Sequence, residues 1–155
     1  MHAVVAAQCF HWFANDKSIF GIHRVLVPGG RLGIVFNVRD HSKPWVKELD
    51  EDFVFPLYEQ SNTPAEHSGV WRKVLNASDK FSLVDDEVTF KMERTFTIDQ
   101  FIAWLMSFSV MAVKSEEEKQ KAVERIKFIL SKHNMQGKDI ITQPFIVKIY
   151  WCQRT

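Results

Sequence analysis

Residues 4–38, VVAAQCFHWFANDKSIFGIHRVLVPGGRLGIVFNV, decide the fold. Ala3 to Ala7 is a short continuous apolar run, the pattern of a strand buried on both faces in a parallel sheet. Asn15 and Asp16 offer an N-cap, because a short side-chain oxygen can take a free amide at a helix start. Ile19, Phe20, His23 and Leu26 follow at helical spacing and predict an inner face. Pro28 biases the preceding residue to extended geometry, so the helix must stop near Val27. Gly29 and Gly30 supply the turn, and Arg31 to Val38 reads as a second buried strand. Strand, helix, Pro-Gly-Gly turn and strand make a βαβ unit, which requires a parallel pair and a right-handed crossover.

Beyond this unit, Pro44 suits the first turn of another helix, with Trp45, Leu49 and Phe53 inward and Pro56 ending or kinking it. QSNTPAEHSG (60–69) is a loop by composition, and 70–75 is a short helix. Val88, Phe90 and Met92 alternate with Thr89, Lys91 and Glu93, which predicts a half-covered, antiparallel strand. Thr97 with Gln100 and Ser115 with Glu118 fit capping boxes, so two helices should follow. The second is amphipathic, with Val123, Ile126 and Leu130 inward and EEEKQK (116–121) outward. The last strand is 141–152. The fold class is therefore α/β: parallel strands, then antiparallel strands, with helices on both faces, as in half of a doubly wound sheet.

Composition narrows the function classes. The chain has 155 residues, 46% apolar, with a formal charge of +1 and no basic stripe. Phosphate binding needs clustered Lys and Arg, so no nucleic-acid partner is expected. No run approaches the roughly 20 apolar residues of a membrane span, and no membrane partner is expected. Cys9 and Cys152 stand far apart and outside any CxxC, which points to a reducing, cytoplasmic compartment and to no zinc or other metal site.

VVAAQCFHWFAND (4–16), IHRVLVPGGRLGIVFNVRD (22–40) and PWVKEL (44–49) closely resemble class I S-adenosylmethionine-dependent methyltransferases. The nearest likeness is to the methyltransferase type 11 group, whose members include enzymes like trans-aconitate methyltransferase. SFSV (107–110) and PFIVKIYW (144–151) resemble the family's C-terminal portion. The resemblance implies a Rossmann-like sheet represented by its C-terminal half. Residues 1–50 would carry the family's fourth and fifth strands and the next helix, and 51–155 the C-terminal strands and a helical lid, in a single partial domain. The family's first three strands, its Gly-rich turn and its ribose-binding acid would then precede Met1, and the chain contains no GxGxG. The resemblance further implies S-adenosylmethionine as methyl donor and a small molecule, such as a carboxylic acid, as acceptor. An alternative is a non-catalytic, truncated fragment that binds a partner, as a homodimer or by pairing with another methyltransferase chain.

Ligands in open α/β sheets bind outside the carboxyl ends of the strands. Ala7, Gln8, Phe10 and Trp12 are the candidate donor contacts, and an aromatic face attracts a sulfonium by about 0.5–2 kcal/mol. Phe10 and Trp12 read equally as core aromatics. His11 is the candidate catalytic base, or else a positioning or packing residue. Asn37 and Arg39, at the end of the second strand, would meet the acceptor, with Arg39 gripping an anion by two prongs. The other reading there is turn chemistry and a surface ion pair. Trp104 and Phe108 belong to the apolar stretch 101–113, which reads as a buried helix, as a lid over an apolar substrate or, third, as a membrane anchor that lacks a polar face.

Overall fold

The pairing of the first two strands follows from the βαβ unit. β1 (Ala3–Ala7) lies parallel to β2 (Arg31–Arg39), in a register running from Ala3 opposite Arg31 to Ala7 opposite Val35. The computed structural model describes residues 1–82, 86–135 and 137–155. The sheet order is β1-β2-β4-β3, with β3 at Asp86–Thr97 and β4 at Ile140–Gln153. Arg154 N donates to Gly30 O at 2.8 Å and Asp40 N donates to Pro144 O at 3.1 Å. Low numbers face high ones at both ends, so β4 runs antiparallel to β2. Pro144, which has no N–H, needs to give only its carbonyl at this position.

The chain forms two compact units. The first comprises Met1–Val38, Pro64–Lys91 and Ile146–Thr155. After α1 (Phe10–Phe13) it holds α2 (Asp16–Val25), capped as expected by Asn15, whose Oδ1 accepts from Ser18 N at 3.0 Å. α5 (Val70–Ala77) also belongs to it. Ala6, Leu32, Ile34 and Phe36 on one face of the strands pack with Ile19, Leu26, Trp71 and Leu75. Each large apolar side chain enclosed this way stabilises the fold by about 1.5–3 kcal/mol.

Gly29 turns the chain at φ +74°, a conformation that costs glycine little. A Cβ on Gly30 would lie 2.8 Å from Val27 O and 3.2 Å from His2 O, so backbone crowding selects glycine there.

The second unit comprises Arg39–Thr63 and Met92–Phe145. α3 (Pro44–Leu49) runs through a π-helical turn (Asp50–Val54) into α4 (Phe55–Gln60). Trp45, Leu49 and Phe53 are buried as expected, and Pro56 sits harmlessly in the first turn of α4. α6 (Ile98–Met106), α7 (Ser109–Ala112) and α8 (Glu116–Lys132) complete the unit. Both capping boxes form, Thr97 with Gln100 and Ser115 with Glu118. Ile126 and Leu130 join a core with Phe101, Leu105 and Ile141.

Four readings are corrected. β1 is not buried on both faces: Ala6 is buried, whereas Val5 points to the opposite face and is 67% exposed, because no described residue covers that face of the strand. Phe20 points outward at 58% exposure, and Ile22 takes its place against the core. Phe90 is exposed as well, because no described residue covers the face of β3 that it points to. The stretch 101–113 is two short helices broken at Ser107–Phe108, not one.

Candidate functional site

In the first unit, the carboxyl ends of β1 and β2 carry a small polar and aromatic group. Gln8 directly follows β1 with φ +57°, a left-handed value that costs a residue with a Cβ about 1–3 kcal/mol. Its amide N–H donates to Val35 O at 2.8 Å, and its side chain reaches Asn37 O at 3.4 Å. Strain held in place at a strand end is where function is to be sought. Ala7, Gln8 and Asn37 are all exposed, and Trp12 is 48% exposed.

Phe10 is different. It is fully buried, meeting Phe13 edge-on at 5.5 Å and Trp71 at 6.2 Å between ring centres. Its ring is part of the first unit's hydrophobic core, so of the two readings of Phe10 the core one describes it. The His11 ring lies 5.6 Å from Trp12 and 5.7 Å from Phe36. Its Nδ1 is buried with no hydrogen-bond partner among the described residues. Burial, and secondarily the nearby His67, pull the His11 pKa below its ordinary value. The imidazole is therefore neutral near pH 7 and able to accept a proton.

In the second unit, Arg39 and Asp50 form an ion pair with side chains only 11% and 3% exposed. Asp50 Oδ2 also lies 2.7 Å from His41 Nε2. The π-helical turn places Asp50, and such turns recur at functional sites. Above the guanidinium sit two aromatic rings, Phe108 at 5.5 Å and Trp104 at 5.9 Å from Cζ. Trp104 in turn packs on Phe108 (5.1 Å), Phe96 (5.4 Å) and Phe145 (5.8 Å). Burial draws the Arg39 pKa down while Asp50 holds it up, and an arginine keeps its charge in such a balance.

This corrects the two-pronged grip expected of Arg39. A guanidinium taken out of water needs a counter-charge, and Nη2 is committed to Asp50. Nη1 is buried without a hydrogen-bond partner among the described residues. The alternative expectation is also half right: Asp40 Oδ1 makes the turn by accepting from Ser42 N at 2.9 Å, but the ion pair is buried, not on the surface.

Sequence reasoning missed Asp50, His41 and Gln143. The first two lie in polar surroundings that resemble any helix start. Gln143 had a visible signal, a lone amide inside the apolar run IITQPFIV (140–147). It is fully buried, its Nε2 donates to Pro144 O at 2.7 Å, and its Oε1 has no partner among the described residues. Among the described residues no three metal-ligating side chains converge, and no helix is long and apolar enough to cross a membrane.

No protein-family model matches the chain. It is 34% identical over 118 residues to an uncharacterized methyltransferase-like protein of Schizosaccharomyces pombe, an alignment that takes in 76% of this chain and 44% of that protein. An uncharacterized methyltransferase of Mycobacterium tuberculosis is 51% identical over 49 residues, 32% of this chain and 20% of that protein. The chain thus spans less than half the length of these curated relatives. A type II methyltransferase structure from Anaeromyxobacter dehalogenans superposes with a TM-score of 0.61 at 18% identity, over 98% of this chain and 63% of that one.

Proposed function

We infer the function from the premise that this chain belongs with the class I methyltransferases, matching their relatives in sequence and sharing their fold. In this reading it takes part in methyl transfer from S-adenosylmethionine to a small molecule such as a carboxylic acid. The observation that carries it is the exposed, strained Gln8 beside the half-exposed Trp12 at the carboxyl end of β1. The donor supplies a methyl group on a cationic sulfur. Trp12 offers that cation an aromatic face, and Gln8 and Ala7 line its path. Asn37, at the neighbouring strand end of the same unit, is the acceptor contact expected there; in the second unit, taken by itself, Arg39, Trp104 and Phe108 make an anion contact under an aromatic cover. An ionised carboxylate needs no base, so His11 orients such an acceptor; a hydroxyl acceptor would pass its proton to the His11 imidazole. The trans-aconitate-like acceptor rests on the resemblance alone, and the cytoplasmic setting on Cys9 and Cys152, both free thiols.

The test is near-UV circular dichroism of the chain titrated with S-adenosylhomocysteine, which reports on its five tryptophans. A saturable change that Trp12→Ala weakens is expected. A structured spectrum indifferent to the ligand would overturn the donor reading for this chain.

One observation favours a second reading, a partner-binding module. β1 is a sheet edge with Val5 exposed, and exposed strand edges invite pairing with other chains. The partner would be a second copy or another methyltransferase chain.

A further inference from the structure

We propose that Arg39 and Gln143 form one donor–acceptor pair beneath Trp104 and Phe108, selecting a small acid that carries a hydrogen-bond donor next to its carboxylate. The proposal rests on the reading of Arg39, Trp104 and Phe108 as the acceptor site and adds what that acceptor must be.

Strand register brings the two residues together. Asp40 N bonds to Pro144 O just past the end of β2, which sets Arg39 opposite Phe145. Opposed residues of antiparallel strands share a face, and residues two apart on one strand share it too. Arg39, Gln143 and Phe145 therefore line one face, with Arg39 and Gln143 as diagonal neighbours about 7–8 Å apart at the backbone. Trp104 confirms the face independently, since it packs both on Phe145 and over Arg39.

Both residues end in a buried polar atom with no partner among the described residues, Nη1 of Arg39 and Oε1 of Gln143. The Gln143 amide cannot be turned the other way: Pro144 O only accepts, so the amide nitrogen must face it. Nη1 can only donate and Oε1 can only accept. Leaving each unpaired in the folded protein costs about 1–3 kcal/mol, an arrangement that persists where a ligand completes it. The complement is a carboxylate oxygen for Nη1 and a hydroxyl or amide N–H for Oε1. A plain dicarboxylic acid satisfies the first and leaves the second unmet.

The experiment compares L-malate with succinate, two dianions at neutral pH that differ by one hydroxyl. Each is titrated into the full chain at pH 7 and followed by tryptophan fluorescence, with Trp104→Phe identifying the reporter. No donor analogue is present, so failure of S-adenosylhomocysteine to bind would leave the result interpretable. Malate is expected to bind at least about tenfold more tightly than succinate, because a site built to hydrogen-bond a hydroxyl rejects the analogue without one. Gln143→Met, which keeps the volume and removes the acceptor, should erase the preference and raise the midpoint of urea unfolding. Equal affinity for the two acids, a preference that survives Gln143→Met, or no saturable binding of either acid would each overturn the proposal.

Discussion

Replacing Asp50 by Asn would leave the Arg39 guanidinium buried without its counter-charge. Breaking a buried pair from one side costs about 3–5 kcal/mol, and urea denaturation of Asp50→Asn should show a loss of that size. A loss under about 1 kcal/mol would mean that water reaches the pair, as it does at exposed pairs. His11 makes a prediction of opposite chemical sense. Burial first, and His67 second, set its folded pKa below the ordinary 6.5. The unfolded chain then binds the proton more readily, so the stability His11 contributes is complete above about pH 6.5 and is lost as pH falls towards the folded pKa. His11→Gln should flatten that acid slope, and a proton NMR titration should place the imidazole below 6.5. At this scale the sequence revealed which side chains were capable of chemistry but not their partners. Arg39 was legible as a strand-end cation, yet Asp50 reaches it only through a π-helical turn, and Gln143 only through the pairing of β2 with the distant β4.

Elements whose causes are local could be read from the sequence. The capping boxes at Thr97 and Ser115 need only residues within one helical turn to agree, and both formed. Ser115→Ala removes an acceptor from the Glu118 amide and should cost about 1 kcal/mol in urea denaturation. The Glu118 carboxyl, held down to about 2 by the Ser115 amide and then Lys114, should lose part of that shift in the same variant. Two glycines of the βαβ unit should respond in opposite directions. Gly21 stands mid-helix with nothing within 4 Å of where an added methyl would lie, so Gly21→Ala should stabilise by about 0.5–1 kcal/mol. Gly30→Ala would drive a methyl against Val27 O and must destabilise. Elements whose faces depend on distant cover were read less well. Phe20 keeps helical spacing and Phe90 keeps strand alternation, yet each points to solvent, because periodicity marks a face without saying whether anything lies against it.

For the whole molecule, a near-neutral charge gives little repulsion between copies, and among the described residues β1 is a sheet edge with Val5 exposed beside it. If this edge pairs with another copy, sedimentation velocity should show concentration-dependent association. Val5→Lys should suppress it, as lysines do on natural sheet edges. A monomer at every concentration would remove the self-pairing role. The two compact units also carry a consequence for inheritance. The first is assembled from three separate stretches of chain and the second from two, so the backbone passes between them at 38–39, 63–64, 91–92 and 145–146. No single crossover, deletion or gene fusion can exchange one unit and spare the other.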